Sequence, residues 1–216
     1  MSDILLYHCP RACSQVVVCA LEEAGLPYEL RLINILAGEQ LTEAYKAVSP
    51  LGKVPAAVID GNPLTENSAI LMYIARTAPA SAVLPGIDAD PWVQAEAQWG
   101  LSFCGGTLHP QVRGLMAPQR LTTGDELAAI REKAAELAKQ SFSFANQRIT
   151  DRGWWLGSWS IVDVYLNWAF SAALRAGFDG APFTALLNLS ARLAKEKASF
   201  RRMAEIDARS LKELGL

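Results

Sequence analysis

Length, composition and charge narrow the classes of protein to which this chain can belong. It has 216 residues, 51% of them hydrophobic, and its 20 lysines and arginines against 22 aspartates and glutamates give a formal charge of −2. This balance argues against nucleic acid as a partner, and no apolar run approaches the ~20 residues that a membrane span needs. Four cysteines are too few for a disulfide scaffold, so we expect free thiols and a cytoplasmic protein.

Two further absences shape the expectations. The first residues, Met1-Ser2-Asp3, carry no basic or long apolar region, so we expect no secretory leader. Cys9 and Cys13 are four residues apart, which is not the C-x-x-C spacing of redox motifs or zinc sites. With only two histidines in the chain, we expect no metal.

The first half of the chain predicts a small mixed sheet with helices. In chain order the patterns indicate strand 4–8, helix 12–24, strand 28–33, helix 40–48, strands 55–59 and 63–65, and helix 69–77. Asp60-Gly61-Asn62 between the last two strands is a hairpin signal. The order β-α-β-α-β-β-α therefore predicts a parallel pair followed by an antiparallel hairpin.

The second half of the chain has a different hydrophobic pattern. A segment rich in Ala, Pro and Ser leads into long helical patterns without any strand candidate, over 91 to about 115, 126–149, 161–176, 183–195 and 199–214. We therefore divide the chain into an α/β domain over 1–79, a linker over 80–89 and an all-helical domain over 90–216. Ser160-Ile161-Val162-Asp163 is a capping box, so Ser160 and Asp163 are interpreted as folding determinants rather than catalysts.

Two motifs at a fixed distance carry a family resemblance. They are Gly52-Lys53-Val54-Pro55 and Leu64-Thr65-Glu66-Asn67-Ser68-Ala69-Ile70, followed in the helical half by the box in GSWSIVD (157–163). In this α/β-then-helical order the whole chain resembles the cytosolic glutathione transferases. The resemblance implies a thioredoxin-like domain before a helical domain, a two-fold homodimer, and glutathione as co-substrate with a small hydrophobic electrophile bound between the halves.

The resemblance also implies glutathione-binding residues. Val54-Pro55 would be a cis peptide whose valine backbone pairs with the cysteinyl part of glutathione, although an ordinary trans proline at a strand start fits the sequence equally well. Glu66 and Asn67 would bind the γ-glutamyl end at a helix N-terminus, where a plain helix cap is the alternative. The loop after the second strand, where the family usually has a lysine for the glycyl carboxylate, reads Leu36-Ala37-Gly38 here, and we expect Lys53 or Arg11 to compensate.

The candidate for thiol activation lies near the N-terminus. Pro10-Arg11-Ala12-Cys13-Ser14 resembles the bacterial beta-class pattern Pro-Gly-Ala-Cys-Ser, with Arg11 in place of the glycine. Cys13 would begin a helix, where amides and the helix dipole favour a reactive thiol; the alternative is a small buried hydrophobe. Ser14 and Tyr7 remain open as alternative donors to the glutathione sulfur.

A second match lies in the helical half, where Leu108-His109-Pro110 resembles the beta-class histidine near the glutathione sulfur. His109 would donate to the thiolate, although a lone histidine can equally be structural. Three functions follow. The first is glutathione conjugation to a small electrophile. The second is thiol–disulfide exchange or reductive deglutathionylation through Cys13. The third is a non-catalytic binding protein that keeps only the fold.

Overall fold

A computed structural model describes residues 3–216; Met1 and Ser2, on which the expectation about a secretory leader partly rests, lie outside them. The chain forms two compact units, one with residues up to Asp88 together with Glu196–Leu216, the other with Ala89–Lys195. The C-terminal segment thus groups with the α/β unit, whereas the sequence pattern assigned it to the helical domain over 90–216. Among residues 3–216, no helix combines the length and apolarity that crossing a membrane requires.

The sheet of the first unit has the predicted mixed topology. Its strands are β1 (Ile4–His8), β2 (Glu29–Leu32), β3 (Ala56–Ile59) and β4 (Asn62–Thr65), in the order β2-β1-β3-β4. β1 runs parallel to β2 and antiparallel to β3, which forms a hairpin with β4. Asp60 and Gly61 both have positive φ (50° and 81°), as a two-residue hairpin turn requires.

The α-helices of the described residues are named α1 to α9 in chain order. They are α1 (Ser14–Ala24), α2 (Glu43–Lys46), α3 (Asn67–Thr77), α4 (Pro91–Ser102), α5 (His109–Met116), α6 (Leu127–Arg152), α7 (Ile161–Arg175), α8 (Thr184–Glu196) and α9 (Ala198–Glu213). Helix α1 is continuously buried over 16–21 because it packs against both α3 and α9. It ends at Gly25, whose φ of 62° closes the helix in the left-handed conformation.

In the second unit, α7 is the central helix that the sequence predicts. It is apolar nearly all round and buried over 161–170, which is typical of a helix enclosed by others. The helix expected over 91 to about 115 is instead interrupted by a π-helical segment, Phe103–Leu108, so that α5 starts at His109. π-helical turns inside α-helices often occur at functional sites.

Candidate active site

Cys13 stands at the junction of strand and helix in the first unit. It is the N-cap residue of α1 and only 4% exposed. Its Sγ donates a hydrogen bond to the Val54 carbonyl oxygen at 3.4 Å. The peptide bond between Val54 and Pro55 is cis. The folded chain thus brings the candidate thiol beside the backbone of the candidate cis-proline loop, 41 residues away in sequence.

Hydrogen bonds to the residue before Val54 fix the loop that carries it. The Lys53 carbonyl accepts hydrogen bonds from the Tyr45 hydroxyl at 2.8 Å and the Ser49 hydroxyl at 2.9 Å. Gly52 has a φ of 59°, and a Cβ there would lie 2.6 Å from the Gln40 carbonyl oxygen. The loop therefore requires glycine at this position, while the Lys53 side chain stays exposed.

The start of α3 reaches the same place. The buried Asn67 donates from Nδ2 to the Cys13 carbonyl at 3.2 Å, and its Oδ1 is buried without a hydrogen-bond partner among the described residues. The exposed Glu66 is the N-cap residue, with a φ of 71°. A non-glycine residue in this conformation is strained, and such strain tends to persist at functional sites. The thiol, the cis-proline loop and the start of α3 therefore lie side by side.

The hydroxyls of Ser14 and Tyr7, the alternative donors, form hydrogen bonds within the first unit. Ser14 is completely buried, and its hydroxyl bonds the His8 ring at 2.8 Å and the Cys9 carbonyl at 3.1 Å. The Ser14 hydroxyl is thus engaged inside the protein, and its role as a donor to the glutathione sulfur stays a prediction. Tyr7 packs edge-on against Tyr45 in the core, and its hydroxyl accepts from Arg31 at 3.2 Å.

The remaining cysteines are packing residues. All four cysteines are free. Burial raises the pKa of the Cys9 thiol, raises that of Cys19 to about 12, and raises that of Cys104 well above its ordinary value. These three therefore remain protonated near neutral pH, since desolvation disfavours the thiolate. Within residues 3–216, no group of three or more His, Cys, Asp or Glu side chains is arranged to hold a metal.

His109 belongs to the second unit, where it opens α5 directly after the π-helical segment. Its Nδ1 lies 3.3 Å from the Tyr165 hydroxyl, and its ring packs against that of Trp168 with centroids 4.6 Å apart. Pro110 follows as the second residue of α5, and it has no N–H to donate to the π-helical turn before it. The imidazole is thus half-buried and oriented by two aromatic residues of α7.

Two buried residues of the first unit, His8 and Asp207, are assigned no role by the sequence patterns. His8, at the end of β1, is completely buried, and its Nε2 lies 3.4 Å from the carboxylate of Asp207 on α9. That carboxylate also accepts a hydrogen bond from the Arg11 amide at 2.9 Å. Asp207 is 196 residues from Arg11 and lies in an amphipathic helix, so no local pattern could have linked it to the site.

Comparison with known proteins places the chain among characterised relatives. Residues 9–77 match the family model described as glutathione S-transferase, N-terminal domain. The chain is 31% identical to a glutathione S-transferase of Xanthomonas campestris pv. campestris, over 84% of this chain and 88% of that protein. It is 30% identical to a maleylacetoacetate isomerase of Pseudomonas aeruginosa, over 73% of this chain and 75% of that protein.

A solved structure extends the similarity to the fold. The sphingomonad glutathione S-transferase, whose structure was determined in complex with glutathione, superimposes with a TM-score of 0.81. The match covers 94% of this chain and 98% of the other, at 31% sequence identity. It spans both units, so the similarity is not confined to the thioredoxin-like part.

Proposed function

The chain belongs to the glutathione S-transferase superfamily and is a glutathione transferase, and we propose that it activates the glutathione thiol at Cys13 for attack on small hydrophobic electrophiles. The chain's α/β unit would bind the tripeptide. The electrophile class is argued from the chemistry of a thiolate nucleophile, which reacts with electron-poor carbon. A role in detoxification follows from that chemistry.

One observation supports this proposal above the others. Residues 13, 54 and 67, chosen from separate motifs, meet through the Sγ–H···O bond to Val54 and the amide bond from Asn67 to the Cys13 carbonyl. Each offers what a different part of glutathione needs: a thiol donor for the sulfur, a backbone edge for the cysteinyl group, and a helix start for the γ-glutamyl carboxylate. Glu66 would accept from the γ-glutamyl ammonium.

The proposed reaction begins with loss of the glutathione thiol proton to solvent. Cys13, at the positive end of α1, turns its single Sγ–H from the Val54 carbonyl to the resulting thiolate, and this hydrogen bond lowers the free energy of the anion. The thiolate electron pair then forms a carbon–sulfur bond with the electrophile. A leaving group departs with its bonding electrons, or, in an addition, the adjacent carbanion takes a proton.

Further roles complete the proposal. Lys53, exposed on the cis-proline loop, is proposed for the glycyl carboxylate. His109, held by Tyr165 and Trp168, is proposed as a second donor to the thiolate on the family resemblance.

We propose a homodimer that uses α4, where Trp92 is 72% exposed. The four free thiols suit a reducing compartment, and we propose a cytoplasmic location.

Binding of glutathione is tested with a charge-neutral variant. Glu66→Gln keeps the backbone but removes the carboxylate, so the Kd for glutathione should rise roughly tenfold, the cost of one charge-assisted hydrogen bond. Glu213→Gln, an exposed position on α9, is the matched control. Titration calorimetry checks both. Unchanged affinity in Glu66→Gln would contradict the placement of the γ-glutamyl group.

Catalysis by Cys13 is tested separately. Cys13→Ala should lower kcat for conjugation of 1-chloro-2,4-dinitrobenzene roughly tenfold or more, because one donor to the thiolate is lost. If conjugation persists in Cys13→Ala while reduction of a glutathione mixed disulfide disappears, the redox function is the correct one. If wild type binds glutathione and catalyses neither reaction, the non-catalytic binding function is correct.

A second candidate reaction is the isomerisation of maleylacetoacetate. It is favoured by the 30% identity to the Pseudomonas aeruginosa isomerase across 73% of this chain. Both candidates can be compared in one assay series, in which purified protein and glutathione are supplied with maleylacetoacetate or with the aryl chloride. A larger kcat/KM for the isomerisation would make that the principal reaction.

A further inference from the structure

The turn that leads into Cys13 has an unfavourable residue at its centre. The Ala12 amide donates to the Cys9 carbonyl at 3.1 Å and closes a four-residue turn with Pro10 second and Arg11 third. Arg11 has a φ of 63°. Proline is common at the second position of a type II turn, whose third position needs positive φ and therefore favours glycine. Arginine there needs support from outside the turn.

That support comes from the last helix. The Arg11 amide donates to Asp207 Oδ1 at 2.9 Å. In a left-handed residue the amide points away from the local chain, and Asp207, itself 7% exposed, supplies the acceptor. The carboxylate is therefore aimed at the one residue of the turn whose conformation is costly.

A buried histidine lies beside the same carboxylate. Asp207 Oδ1 lies 3.4 Å from Nε2 of His8, whose Nδ1 lies 2.8 Å from the Ser14 hydroxyl. The Ser14 hydroxyl donates its one proton to the Cys9 carbonyl at 3.1 Å, so we assign the ring proton of His8 to Nδ1, which donates to the Ser14 oxygen. Ser14 also accepts from the Cys9 amide at 3.2 Å, whereas Nε2 of His8 has no hydrogen-bond partner among the described residues. Ser14 and His8 thus hold the Cys9 end of the turn, and the Asp207 carboxylate holds the Arg11 amide.

Helix α9 does not depend on Asp207 for its attachment. Lys197 and the Ser199 hydroxyl both bond the carboxylate of Glu23 on α1. The apolar face of α9, including Phe200, Met203 and Ile206, is buried. Loss of the Asp207 carboxylate should therefore leave α9 docked and act on the turn.

We propose that Asp207 is a positioning residue for the reactive thiol: through the Arg11 amide it holds the turn at residues 9–12, and with it the place of Cys13 beside Val54. Asp207 does not touch the substrate. The inference rests on the proposed function for its catalytic consequence, but the position of the Cys13 thiol is a property of the protein without glutathione.

A mutant cycle tests the proposal. In the wild-type background, Asp207→Ala should lower kcat/KM for glutathione conjugation roughly tenfold, as expected for a misplaced reacting group. In an Arg11→Gly background the same substitution should cost less than about twofold, because glycine adopts positive φ without help. Asp207→Asn, which keeps an Oδ1 acceptor, should retain activity. Glu205→Ala, an exposed position on α9, is the matched control.

A second readout needs no glutathione. Alkylation of Cys13 by iodoacetamide, followed by peptide mass spectrometry, should become roughly threefold faster in Asp207→Ala as the turn opens locally, and return to the reference rate in Arg11→Gly/Asp207→Ala. If Asp207→Ala lowers kcat/KM by the same factor in the wild-type and Arg11→Gly backgrounds, the proposal is overturned and Asp207 is a general stability residue. If wild type fails to conjugate glutathione, the proposed function fails, and the alkylation rates still decide this inference.

Discussion

Asp163 at the start of α7 carries a charge that the fold disfavours. It is completely buried, although its Oδ1 accepts from the Trp155 amide at 2.8 Å and its Oδ2 from the Ser160 amide at 3.0 Å. Desolvation outweighs these bonds and raises the pKa of the carboxyl from 3.8 to about 6. The folded protein therefore binds this proton more tightly than the unfolded chain does.

The pH dependence follows from the direction of that shift. A carboxyl whose pKa is raised on folding contributes most to stability when protonated, and its contribution falls as the pH rises through the folded pKa. With pKa values of 3.8 unfolded and about 6 folded, the contribution of Asp163 to the free energy of unfolding should fall by roughly 1 kcal/mol between pH 5 and pH 7.5.

Asp163→Asn isolates this contribution because the amide does not titrate. Urea unfolding followed by tryptophan fluorescence, at pH 5 and pH 7.5, gives the free energy of unfolding of both proteins. The stability of wild type relative to the variant should decrease by the stated amount at the higher pH. Asp151→Asn, at an exposed position of α6, serves as the control, with a difference that stays flat. A difference for Asp163→Asn that is constant, or that grows with pH, would refute the reasoning.

Two further substitutions test the packing of the second unit and its proposed interface. Gly100→Ala should lower the free energy of unfolding by about 1–3 kcal/mol, because the new Cβ would lie 2.5 Å from Cγ1 of Val162. Gly106→Ala is the control: a Cβ there meets open space, so the free energy of unfolding should be nearly unchanged. Thermal unfolding compares the two variants. Trp92→Glu should convert the proposed dimer to a monomer in light-scattering measurements, while Leu187→Glu on α8, another exposed apolar position, should not; a wild-type monomer would remove the interface on α4.

The sheet and most helices could be predicted because their signals are local. Strand β1 is found at the residues that its apolar run predicted, and the Asp60-Gly61 turn adopts the positive φ values that such a dipeptide favours. The two family motifs also lie next to the predicted kinds of element: Val54-Pro55 directly precedes strand β3, and Glu66 is the N-cap residue of helix α3. Hydrophobic periodicity and turn chemistry are properties of a few adjacent residues, and the sequence contains them directly.

Other features depend on partners that are distant in the chain. The pattern of α9 shows an apolar face but not which unit covers it, and the structure groups the helix with the first unit. Helical periodicity over 91–115 cannot distinguish the π-helical turn before His109 from regular helix. The sequence leaves Ser14 open as an alternative to Cys13, and its complete burial with a hydrogen bond to the His8 ring is seen only in the folded structure.

The central claim is that glutathione binds with its sulfur at Cys13, and a crystal structure with glutathione soaked in tests it most directly. We predict the glutathione sulfur within roughly 3.5–4 Å of Cys13 Sγ, a hydrogen-bond distance for sulfur, with the cysteinyl backbone paired to Val54 and the γ-glutamyl group at Glu66 and Asn67. A tripeptide bound with its sulfur beside Tyr7, or bound away from the cis-proline loop, would contradict the account.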